Sequence, residues 1–145
     1  MNKKKNLVSI HDAAHVVASI KFEHSFIYVT IIPDEKTNSL GHVLPKLPKK
    51  IKDALDIGDA NPFVFHYAKE EMIILLVGQA AESRILKIPF KNNGTQGDIS
   101  GFIDYVICLY PEPKVYRAYF NYILEEARSF VSNPRNWKAI KAIAS

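Results

Sequence analysis

Apolar and polar positions along this chain change period several times, and each change marks an element. From Val8 to Lys21, Ala13, Val16, Val17 and Ile20 recur three or four apart and share one face of a helix. Phe26-Ile27-Tyr28-Val29-Thr30-Ile31-Ile32 is β-branched and aromatic, stops at Pro33 and reads as a strand. Asp34 to Ser39 is a turn-rich link, and Leu40-Gly41-His42-Val43-Leu44 is expected to return as a second strand, closing a hairpin over 26–44. Pro45, Pro48 and neighbouring lysines predict an exposed loop, with a short helix from Lys50 to Asp56. After a break at Gly58 to Pro62, a helix over 67–85 turns Met72, Ile73, Leu76, Val77, Ala80 and Ala81 toward the core. Asp98 sits where a cap should open a helix over 98–110, which ends before Pro111 and Pro113. Helices over 115–131 and 134–144 complete the chain. Ser132 or Asn133 caps the last one, Pro134 occupies its first turn, and Trp137, Ile140 and Ile143 are expected to face inward. The pattern predicts the α+β class: a mostly helical domain with a small β-hairpin or sheet.

Composition narrows this picture without changing it. A length of 145 residues is one domain's worth of chain, so 1–145 is expected to fold as a single unit. Cys108 is the only cysteine, which excludes an intramolecular disulfide and suits a reducing compartment. Val106, Ile107 and Leu109 around it predict a buried thiol rather than a nucleophile. The basic start Met1-Asn2-Lys3-Lys4-Lys5 is followed by an apolar run broken at once by Ser9, His11 and Asp12, unlike a signal peptide. No apolar stretch approaches the roughly 18 residues that a membrane span needs. The expectation is a soluble, cytoplasmic protein. The net charge of +4 owes much to lysines in the N-terminal tail and in the Pro-rich loop. They lack interleaved aromatics, so they read as a solvated surface and not as a nucleic-acid interface.

The chemistry-bearing stretch is His11-Asp12-Ala13-Ala14-His15. Histidines four apart on a helix lie one turn apart on one face. With this spacing His-Glu-x-x-His peptidases hold zinc through two imidazoles. Those enzymes carry Glu after the first histidine as general base; this chain carries Asp12. A histidine pair on an apolar helix is also common as plain packing, so the spacing alone leaves both readings open. His24, His42 and His66 are isolated and read as surface or hydrogen-bonded histidines, and Tyr116, Tyr119 and Tyr122 as packing residues. The strand from Phe26 could receive an extended peptide at its edge.

Four segments, in order, resemble one family, the peptidase domain of FtsH-type ATP-dependent zinc metallopeptidases. His11-Asp12-Ala13-Ala14-His15-Val16-Val17 is similar to the family's His-Glu-Ala-Gly-His helix. Val29-Thr30-Ile31-Ile32-Pro33 with Leu40-Gly41-His42-Val43-Leu44-Pro45 is similar to its Val-Thr-Ile-x-Pro strand and Leu-Gly partner strand. Ile74-Leu75-Leu76-Val77-Gly78-Gln79-Ala80-Ala81-Glu82 resembles its Gly-Arg-x-Ala-Glu helix, and Gly97-Asp98-Ile99 resembles the Asn-Asp-Leu that opens the helix bearing the third zinc ligand. Lys46 to Lys69 shows no such match.

The resemblance implies a zinc ion on His11, His15 and Asp98, with Asp12 as general base. It implies hydrolysis of unfolded or short peptides. Asp98 could equally serve as a helix cap. Glu82 is a second candidate for third ligand, on the neighbouring helix, or else a buried hydrogen-bond partner. The departures fall at the centre. Asp12 is one C–C bond shorter than Glu, so its carboxylate is retracted by roughly 1.5 Å, and misplacement on that scale can cost on the order of a hundredfold in rate. Ala14 replaces the family's Gly. No Gly-x-x-x-x-Gly-Lys-Ser/Thr phosphate loop occurs in the sequence, so substrate unfolding would need a separate ATPase. The alternative is a pseudo-peptidase that binds peptides or a protein partner without cutting.

Overall fold

The computed structural model describes residues 3–30, 42–88, 103–107, 109, 110 and 112–145. In order, these form α1 (Lys3–Lys21), β1 (Phe26–Thr30), β2 (His42–Pro45), α2 (Lys49–Asp56), α3 (Pro62–Leu86), a short helical stretch α4 (103–107), α5 (Pro113–Ser132) and α6 (Pro134–Ala144).

The centre of the molecule is α3. Its 25 residues span about 38 Å at 1.5 Å per residue. Asn61 starts it by accepting from the Val64 amide at 3.0 Å, and Pro62 fits the first turn because no intrahelical donor is needed there. This cap explains why the helix begins five residues before Tyr67, the start expected from periodicity. Met72, Ile73, Leu76, Val77, Ala80 and Ala81 are all buried, and so are Ile74, Gly78 and Gln79 on other faces. A helix apolar nearly all round is a core helix. Helices α1 and α5 pack against it, and α6 packs on α1.

Asn133 caps α6, accepting from the amides of Arg135 and Asn136. Ile140 is fully buried, and Trp137 stacks under the Arg84 guanidinium at 4.3 Å. Ile143, expected to face inward, is 48% exposed, as is Ile20 of α1 at 62%. Helix α2 adds a smaller cluster in which Ile51 and Ala54 meet Val64.

The fold class is thereby corrected from α+β to all-α. Among the described residues, the buried members of both core clusters lie in helices. β1 and β2 form an antiparallel two-stranded ribbon, with Thr30 opposite His42 and Tyr28 opposite Leu44. A two-stranded ribbon is too small to form a layer; it lies against α1, while the helices pack on one another. Alternating apolar residues in 26–44 signalled strand conformation but said nothing about which elements make the core.

α1 ends in a Schellman turn. The Glu23 amide donates to the Ile20 carbonyl at 3.1 Å and the His24 amide to the Ser19 carbonyl at 2.9 Å, with Glu23 left-handed at φ 58°. Glycine usually fills that position, and a residue with a Cβ costs roughly 1–2 kcal/mol there. Among the described residues no helix is long and apolar enough to cross a membrane.

Candidate metal centre

Helical spacing brings His11 and His15 onto the face of α1 that meets α3, and both rings are 1% exposed. Their Nε2 atoms face each other at 2.9 Å. Each Nδ1 is engaged on the opposite side of its ring. His15 Nδ1 lies 2.6 Å from the Ile74 carbonyl, and His11 Nδ1 lies 2.7 Å from Glu82 Oε1.

These contacts constrain the hydrogens. A carbonyl oxygen can only accept, so His15 Nδ1 carries the hydrogen. His11 Nδ1 donates in the same way to the Glu82 carboxylate. Two neutral rings so arranged would aim lone pair at lone pair across 2.9 Å. A proton on one Nε2, or a cation held by both, removes that conflict. Ligating histidines hold metals in this form, with the second nitrogen donating to a carboxylate or a backbone carbonyl.

Gly78 makes the approach possible. A Cβ built on it would stand 2.6 Å from both Nε2 atoms and 2.7 Å from His11 Cδ2. In a helix the side chain at position i+4 shields the carbonyl at i, so a glycine at 78 also opens the Ile74 carbonyl to His15. Two zinc–nitrogen bonds at tetrahedral angles put the nitrogens about 3.3 Å apart, roughly 0.4 Å more than the observed 2.9 Å. A small ring rotation supplies that difference. The donor types, their tautomers and the glycine cradle therefore fit zinc.

Asp12, 2% exposed, borders a cavity of about 290 Å³ that is lined by Ser9, Ala13, Val16, Ile143, Ala144 and Ser145. Glu82 lies at the Nδ1 side of His11, away from the facing Nε2 pair. There it orients the His11 ring. Asp98 and Cys108 lie outside the described residues. Among the described residues no three His, Cys, Asp or Glu side chains converge on a point that could hold a metal ion. A zinc site needs one more protein ligand than the histidine pair supplies.

Sequence reasoning did not assign a role to Gly78 or to the Ile74 carbonyl. His24, expected to be a surface or hydrogen-bonded histidine, is hydrogen-bonded and buried, joined to two carboxylates of α3 that sequence reasoning did not name. His66 is an exposed neighbour, 3.4 Å from Glu70. Tyr119 packs on Tyr110 and Tyr122 as an aromatic cluster. Compared with protein-family models, curated proteins and solved structures, the chain gives no match.

Proposed function

We propose that this chain is a zinc-binding helical domain similar to the FtsH-type peptidase module, acting on unfolded or short peptides. The supporting observation is the facing Nε2 pair, with both Nδ1 atoms committed to donation and Gly78 leaving the space in front. His11 and His15 would hold the ion, with Asp98 as the third ligand that the sequence resemblance suggests. Zinc in such a site polarises the scissile carbonyl and lowers the pKa of water. Glu82 and the Ile74 carbonyl fix the two rings so that each Nε2 keeps its lone pair directed forward. The Asp12 carboxylate would accept the proton of the attacking water and deliver it to the leaving amine. Folded substrates would need a separate ATPase. The single cysteine suits a cytoplasmic setting.

A second reading is a pseudo-peptidase that binds peptide or protein without cutting. It is favoured by burial: His11, Asp12 and His15 are all 2% exposed or less. Metal analysis of the purified protein alongside a casein or peptide cleavage assay separates the two. About one zinc per chain with turnover supports the enzyme. Zinc without turnover supports the binding module, and a protein with neither defeats the zinc-peptidase reading.

A further inference from the structure

His24 stands where the Schellman turn of α1 runs into the ribbon. Its Nδ1 lies 2.5 Å from Glu71 Oε1 and its Nε2 lies 3.2 Å from Glu70 Oε1. Its ring stacks on Tyr67 at 3.9 Å between centroids, 10° from parallel. Carboxylates at both nitrogens call for two N–H donors, and only the imidazolium has two. The backbone just before it is held in the left-handed region at Glu23, a position with a Cβ. Beyond it, the Lys46 amide donates to the Ser25 carbonyl at 3.0 Å and ties the end of β2 to the same turn.

We propose that His24, Glu70 and Glu71 form a proton-dependent latch that holds the strained α1–β1 turn against α3. The proposal does not rest on the metal centre. A strained turn favours release, the doubly bonded imidazolium opposes it, and loss of one proton removes one of the two bonds. The other groups around the ring do not replace that proton. From α3 these are Tyr67 and His66, the latter 3.4 Å from Glu70; from α4 it is Tyr105, which feels Glu71 and Tyr67 and, on its own helix, Asp104. Burial first, then Glu71 and Glu70, pushes the Tyr67 hydroxyl up to about 12, so it stays neutral.

Burial alone would lower the His24 pKa, but the hydrogen bonds and charges of Glu71 and Glu70 outweigh it, and the net shift is upward from 6.5. The latch is therefore fully set below about 6.5, the value of the released ring. Its opening constant rises by up to about tenfold per pH unit above that point and levels off beyond the raised value.

Hydrogen exchange between pH 6 and 9, corrected for intrinsic rates, tests this on the whole chain. The His24 and Lys46 amides should lose protection as pH rises through this window, at a rate of up to about tenfold per pH unit, while Leu76 and Val77 amides in α3 stay unchanged. In His24→Gln the two turn amides should sit at the low-protection level at every pH. Protection at those amides that is flat with pH in the wild type, or that falls equally in His24→Gln, overturns the proposal. If His24→Gln does not fold, the ring-carbon NMR titration of His24 in the wild type decides. A midpoint above 6.5, with the turn resonances shifting alongside it, is the expected result. A midpoint at or below 6.5 overturns the latch.

Discussion

Gly78→Ala is the substitution with the most specific consequence. Under helix propensity alone it should stabilise α3 by about 1 kcal/mol, since glycine in a helix interior is poorer than alanine by that amount. The structure reverses the sign. The new methyl would stand 2.6 Å from both Nε2 atoms, whereas ordinary contact begins at 3.4 Å, so the rings must withdraw by about 0.8 Å. That is about twice the ring movement zinc binding asks for, and each ring is buried and fixed through its Nδ1. Overpacking of this kind costs about 1–3 kcal/mol. Loss of one buried Nδ1 bond adds about 1–3 kcal/mol more. Set against the propensity gain, the net loss is about 1–5 kcal/mol. The methyl would also fill the space in front of both Nε2 atoms, so zinc uptake should fail. Urea unfolding and metal analysis of the variant measure both effects. A variant that gains about 1 kcal/mol and binds zinc like the wild type would refute the placement of the histidines against Gly78.

The remaining expectations concern ligands, base and caps. His11→Ala, His15→Ala and Asp98→Ala should each abolish zinc uptake, while Glu82→Ala should weaken it by about 10- to 100-fold, as loss of an orienting partner does; zinc lost only in Glu82→Ala would exchange the roles of Glu82 and Asp98. Under the peptidase reading, Asp12→Glu should raise peptide hydrolysis by one to several orders of magnitude at constant zinc content, because a positioned base is worth roughly 10²–10⁴-fold. Asp12→Asn should remove any activity, and zinc-loaded protein inactive in all three forms leaves only the binding module. Asn133→Ala should cost about 0.5–2 kcal/mol in thermal or urea unfolding, since Asn133 caps two amides of α6; an unchanged stability would contradict the cap.

Periodicity made the helices legible, but not their limits. α3 starts at Pro62 because Asn61 caps it, a local signal that the apolar repeat beginning later conceals. α1 reaches back to Lys3 because lysines are good helix formers without being part of any apolar face. Ile20 and Ile143 lie on the expected period yet remain exposed, since a repeat identifies a face and not whether a neighbour covers it. The class was misjudged for a related reason: residues 26–44 carry a strand pattern, whereas core membership depends on packing between helices.

At the site, the histidine pair was readable from spacing alone. Gly78 was not, because a missing side chain acquires meaning only once another helix is known to press against it. His24 meets Glu71 and Glu70 across 47 and 46 residues of sequence, a separation at which no local pattern connects them.

The central claim is that His11 and His15 hold one zinc ion through their Nε2 atoms. Long-range proton–nitrogen NMR of the histidine rings during zinc titration tests it most directly. The account predicts saturation at about one zinc per chain, with Nε2 of both His11 and His15 shifting to metal-bound positions while both Nδ1 atoms stay protonated. Ring signals of His11 and His15 that remain unchanged by stoichiometric zinc, or zinc bound with those two residues replaced, would contradict it.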